Sequence, residues 1–173
     1  MTPDSMTLAE VNALRPEAFV GAFGSVYEHS PWVAQGALAS RPFASVADML
    51  AAFSRVVQGA DVQRQLELVR AHPELGHRLG VDPQLSAESG REQGGAGLDR
   101  LSPHDYATLS GLNAAYREKF GMPFVICVRQ ATKDVIMQSI ARRLECTPDE
   151  ELHEALRQID AIAALRLMDR VRQ

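Results

Sequence analysis

Three groups of side chains in this chain have types and spacings suited to chemistry. His72 stands directly before Pro73 at the end of a helical stretch. Proline disfavours helical geometry in the preceding residue, so the helix stops there. A histidine at a helix C-terminus feels the negative end of the dipole, which favours imidazolium. Such a group either exchanges protons with a substrate near neutral pH or merely caps carbonyls. Ser89, Glu92 and Gln93 lie at helical spacing, so on a helix they share one face, with Arg91 turned away. That face offers a hydroxyl, a carboxylate and an amide; it is either solvated or part of a pocket. Arg166 falls inside the apolar stripe Leu152, Leu156, Ile159, Ile162 and Ala163 of the last helix. A buried guanidinium keeps its proton and demands an anionic or strongly polar partner. The partner is an internal Glu or Asp, or a bound carboxylate held bidentately. Asn113, on the apolar stripe of an earlier helix, reads as a structural amide.

Other chemistries lack their residues. His77 is five positions beyond His72, a poor spacing for two ligands on one helix face, so no metal site is expected. Cys127 and Cys146 form no CxxC pair, which suits a reducing compartment and offers no zinc site. Cys127 is expected as a small buried apolar group. The glycines around 90–97 match neither phosphate-binding pattern, and no GxSxG occurs.

The elements that position these groups are mostly helical. The chain has 173 residues, 46% apolar and 23% charged, with net charge −4. This is ordinary globular composition in one domain's length, 1–173, and it disfavours a nucleic-acid partner. No apolar run approaches a membrane span, and neither a signal-peptide layout nor a peroxisomal address is seen, so a cytoplasmic location is expected. Helical stretches are expected at Thr7 to Leu14, from Pro16 to about Tyr27, and from Pro31 to about Ala39. Others run Val46 to Val57 behind Ser45, Val62 to Ala71 behind Asp61, and Ala87 to about Gly94 behind Ser86. The series ends with Pro103 to Phe120, a helix behind Thr132 to about Leu144, and Pro148 to about Arg170 behind Thr147. The glycine-rich Ala87–Gly94 stretch is a poor helix by propensity, so tertiary contacts must hold it. One run does not fit: Pro123 to Val128 reads as strand, with no second run to pair with it. Its backbone groups need other partners. It is either a buried connector or a rail of donors and acceptors lining a pocket. The fold class is therefore all-α: a single-domain bundle of about eight helices with one short extended segment near 123–128.

Read together, these blocks resemble a known family. Ala71-His72-Pro73-Glu74-Leu75-Gly76, Leu85 to Gln93, Ala96-Gly97-Leu98, and Leu112 through Val128 with its Asn113, Tyr116 and Phe120-Gly121-Met122-Pro123-Phe124 stand in order, followed by Leu165-Arg166-Leu167. The set is similar to the 2-oxo-4-hydroxy-4-carboxy-5-ureidoimidazoline (OHCU) decarboxylases of urate breakdown, over nearly the whole chain. The HP[DE]L, SxxEQ and LNxxYxxxFGxPF blocks are specific jointly and weak singly. Met122 departs from the family's usual Phe, and Glu74 from its commoner Asp. The resemblance implies an all-helical, cofactor-free carboxy-lyase, usually a homodimer, that removes CO₂ from OHCU and yields (S)-allantoin. It places the catalytic pair on His72 and Glu92. It places substrate contacts on Pro73, Ser89, Gln93 and Arg166, and on the backbone of Phe124, Val125, Ile126 and Cys127. The competing expectation is a non-catalytic helical module that grips a small carboxylate or ureide.

Overall fold

The computed structural model describes residues 5–76 and 86–173, so His77 and Leu85 lie outside the described residues. Nine α-helices are present among the described residues. The chain divides into two compact units, Met1–Leu68 with Asp160–Gln173, and Val69–Ile159.

In the first unit, α1 (Leu8–Ala13) starts in a reciprocal cap between Thr7 and Glu10. Proline at the first helical position opens α2 (Pro16–Phe23) and α3 (Pro31–Ala37), where its missing N–H costs nothing. Ser45 caps α4 (Val46–Gln58) by accepting from the Asp48 N–H. The apolar faces meet in an aromatic cluster: Phe19 packs on Phe23 at 5.1 Å between ring centroids, and Tyr27 stacks on Phe53 at 6.0 Å. Tyr27 and Ser54 each donate a 2.7 Å hydrogen bond to Asp160, one to each carboxylate oxygen. Burial beside that carboxylate pushes the Tyr27 phenol far above its ordinary range.

Two features depart from the sequence expectation. The second helix ends at Phe23, not near Tyr27. There the carbonyls of Ala22 and Val26 take guanidinium donors from Arg170 (2.9 Å) and Arg166 (3.3 Å). Donors arriving from far along the chain thus replace local helical ones. A two-residue parallel pairing, β1 (Met6–Thr7) with β2 (Val171–Arg172), joins the chain ends in register Met6↔Val171. Two residues are too few to show a strand period in sequence.

The second unit begins in the last turn of α5 (Val62–Arg70). It contains α6 (Ala87–Gly95), α7 (Pro103–Phe120), α8 (Lys133–Arg143) and the first part of α9 (Pro148–Arg170). The caps agree with the sequence reading: Ser86, Ser102 and Thr132 accept from the N–H three residues on. Thr147 and Glu150 cap each other. Gly121 ends α7 at φ +67°. Tyr106, expected on the inner stripe of α7, is 41% exposed, whereas Leu109, Asn113 and Tyr116 are buried. The run expected as strand forms neither strand nor helix over Pro123 to Cys127; Cys127 has extended backbone angles, and the chain then enters a 3-10 turn, Val128–Gln130.

Gly76 is the one loop position here with no room for a side chain. Its φ is +79°, and an added Cβ would lie 2.8 Å from the Leu109 side chain. Left-handed strain and the clash act together. Gly76→Ala should therefore destabilise the protein by roughly 1–3 kcal/mol in urea unfolding. An unchanged midpoint and slope would show that the turn tolerates a Cβ.

Candidate functional site

The candidate site in the second unit is built on the residues just after α5. The His72 N–H closes onto the Val69 carbonyl at 3.1 Å, so the histidine sits at the helix end that Pro73 dictates. His72 and Pro73 are buried, His72 at 6% exposure. Two amide side chains fix the stretch beyond Pro73. Asn113 of α7 donates to the Leu75 carbonyl at 3.0 Å, the structural role expected of it. Gln93 of α6 accepts from the Gly76 N–H at 3.1 Å.

Helix α6 is held by contacts, as its poor propensity requires. Its cap satisfies the Ser89 N–H through the Ser86 hydroxyl at 3.1 Å. Ser89 and Gln93 are buried, Glu92 is half-buried and Arg91 is exposed, so the face expected from the spacing is the one turned inward. The helix packs against the Val128–Gln130 turn. The charge of Glu92 is felt at Cys127 in the preceding segment. Through Gln93 the helix is tied to Gly76, and through its packing on the Val128–Gln130 turn to the end of the extended run.

The extended run is clamped by side chains that the sequence reading did not single out. Arg143, 3% exposed at the end of α8, donates to the Val125 carbonyl at 2.8 Å. Its guanidinium also lies 4.4 Å above the Phe124 ring. The same Arg143 bonds both oxygens of buried Glu151 through Nε, at 3.0 and 2.9 Å. Tyr116 donates to Glu151 at 2.5 Å, and its edge meets Phe124 at 5.4 Å. Burial, with Glu151 beside it, raises the Tyr116 phenol above its ordinary range. Gln158 of α9 accepts from the Cys127 N–H at 3.0 Å. The Cys127 carbonyl accepts from the Gln130 N–H at 3.1 Å. The N–H groups of Phe124, Val125 and Ile126 find no acceptor among the described residues, although all three residues are buried. The sequence reading assigns no role to Glu151 or Arg143. The missed signal was a charged residue of each sign beside a run whose backbone needed partners.

Cys127 is buried, and desolvation raises its thiol above the usual range. The small apolar role expected of it fits. Among the described residues no group of three or more His, Cys, Asp or Glu side chains is placed to hold a metal ion.

Arg166 belongs to the first unit. It is 3% exposed, as its position in the apolar stripe demands. Its Nη2 lies 3.0 Å from Oε2 of Glu28, itself 1% exposed, and Nη1 reaches the Val26 carbonyl at 3.3 Å. The internal carboxylate that its burial calls for is thus Glu28. It stands in a turn where His29 adopts φ +47° and the Ser30 hydroxyl donates to the Glu28 carbonyl at 2.8 Å.

Two measurements test this geometry. Arg143→Met leaves Glu151 buried without its cation, and should cost about 3–5 kcal/mol in urea unfolding; a loss below about 1 kcal/mol would mean that the clamp carries little stability. Between pH 7 and 9, a thiol reagent should modify Cys127 well after the less buried Cys146. Equal rates would contradict the raised thiol.

Comparison with known proteins bears on the family and the fold. The family model described as OHCU decarboxylase matches residues 12–168. The chain is 44% identical over 165 residues to a 2-oxo-4-hydroxy-4-carboxy-5-ureidoimidazoline decarboxylase of Haloferax volcanii, covering 95% of this chain and 96% of that one. It is 43% identical over 162 residues to the like-named protein of Halalkalicoccus jeotgali, covering 94% and 90%. Among solved structures it is similar to an (S)-allantoin synthase, with TM-score 0.78 and 26% identity over 96% of this chain. The chain spans about half of that structure's length, 54%. On a helical fold, an ordered set of motifs and matches across nearly its full length, this chain belongs to the OHCU decarboxylase family.

Proposed function

We propose that this protein is a carboxy-lyase that converts OHCU to (S)-allantoin in urate degradation, without a cofactor. One observation carries the site assignment. Gln93, which shares the inward α6 face with Ser89 and Glu92, accepts from the Gly76 N–H, and α6 packs against the turn that ends a buried segment whose N–H groups are open among the described residues.

The reaction breaks the C–C bond to the substrate carboxylate. CO₂ leaves, and the bonding pair enters the conjugated C=N system of the ring. The hydroxyl on the carbon that lost CO₂ gives up its proton and becomes a carbonyl, and a proton is added to one face of the ureido-bearing carbon, which sets the chirality. The ring itself accepts the electron pair, so the protein's task is orientation and proton control. His72 and Glu92 act as a coupled pair in the proton steps. Ser89, Gln93, Pro73 and the backbone of Phe124–Cys127 hold the ring and ureido group. Gln93 Oε1 is engaged by Gly76, so its amide N–H₂ is the end that meets a substrate oxygen. Arg166 contributes directed donors more than net positive charge, because Glu28 balances it. Residues 1–173 act as one functional domain, in a cytoplasmic homodimer. Among the described residues no helix is long and apolar enough to cross a membrane.

The test monitors circular dichroism as chiral allantoin forms from freshly generated OHCU. His72→Ala and Glu92→Gln should each keep the helical far-UV spectrum and lose about 10²–10⁴ in kcat/KM. Full activity in either variant would remove that residue from the proton steps. Saturable allantoin binding with no acceleration of turnover by the unaltered protein would favour the non-catalytic module.

A further inference from the structure

We infer that Gln158 is a positioning residue for the substrate-facing backbone, fixing the peptide between Ile126 and Cys127 and with it the direction of the Ile126 carbonyl. The inference rests on the proposed role of the Phe124–Cys127 backbone. Arg143 takes the Val125 carbonyl at 2.8 Å, and Gln158 takes the Cys127 N–H at 3.0 Å. Both side chains line one pocket with Ile126 and Cys127, so both tethers draw on one side of the segment. In a trans peptide the N–H and C=O point opposite ways, so the Ile126 N–H and the Ile126 carbonyl are turned away from that side. The N–H groups of Phe124 and Ile126 have no protein acceptors among the described residues.

The two tethers differ in rigidity. Arg143 is locked by buried Glu151 and Tyr116. Gln158 is oriented by a single further bond, donated from Nε2 to Glu154 at 2.9 Å. Arg157 beside Glu154 holds that carboxyl down at about 2, so the orienting acceptor stays ionised at any working pH. With the Cys127 N–H pinned, the peptide between Ile126 and Cys127 has a fixed plane, and the Ile126 carbonyl points away from Gln158. Without it, Arg143 still fixes the peptide between Val125 and Ile126 and the Gln130 N–H still holds the Cys127 carbonyl, but the peptide between them is free to turn. Gln158 lines a pocket of about 180 Å³, so a side chain of similar size fits there without overpacking.

The test uses the full chain with Gln158→Leu and with the double variant Gln158→Glu/Glu154→Gln, which reverses the bond between the two side chains and keeps an acceptor at the same reach. Amide hydrogen exchange at Cys127 should quicken in Gln158→Leu and stay slow in the double variant. KM for freshly generated OHCU should rise about tenfold in Gln158→Leu while kcat moves less than about threefold, the signature of a lost uniform binding contact. The double variant should keep KM within about threefold of the unaltered protein. Faster Cys127 exchange in Gln158→Leu with KM unchanged would overturn the inference, as would equal KM defects in both variants. Glu92→Gln measured alongside separates the two readings. Full activity there fails the site assignment, whereas an inactive Glu92→Gln beside an unaffected Gln158→Leu fails this inference alone.

Discussion

A buried stretch of extended backbone has no neighbouring strand to satisfy it, and most of the second unit is arranged around that debt of hydrogen bonds. Each buried N–H or C=O left alone costs roughly 1–3 kcal/mol. The fold offsets part of this with Arg143 at Val125, Gln158 at Cys127, and the turn that returns Gln130 to the Cys127 carbonyl. Among the described residues it leaves a row of N–H groups unmet. An enzyme that must hold a flat, oxygen-rich heterocycle has a use for such a row: backbone donors are rigid and cannot change protonation.

The clamp also explains an ion pair buried in an otherwise apolar region. Arg143 and Glu151 are both nearly inaccessible. Such a pair is a poor source of stability compared with apolar packing. Its value here is directional, because a guanidinium locked by a carboxylate and stacked on Phe124 can donate to the Val125 carbonyl in only one way. Arg166 and Glu28 repeat the device in the first unit. There a strained residue, His29, adjoins the carboxylate, a sign that the position of Glu28 is fixed at some energetic cost.

Much of this was legible in the sequence, and the limits have physical causes. Caps such as Ser45, Ser86 and Thr147 are local, so helix starts could be placed closely. The burial of Arg166 came from helical periodicity, and so did the inward face of α6. What stayed hidden was pairing over distance. Nothing near Arg166 in sequence names Glu28, and nothing near Val125 names Arg143. The early end of α2 and the two-residue strand pairing have the same origin, since guanidinium groups and chain ends from far away decide them. The proposed catalytic pair, by contrast, came from family motifs; geometry alone offered His72 a capping role as readily as a proton-transfer one.

The most direct measurement is a crystal structure of this protein with (S)-allantoin bound. The account predicts product oxygens within hydrogen-bonding distance, about 2.7–3.2 Å, of the Phe124 and Ile126 N–H groups, with His72 and Glu92 beside the ring. Product seated elsewhere, with those N–H groups turned toward water or toward a protein acceptor, would contradict it.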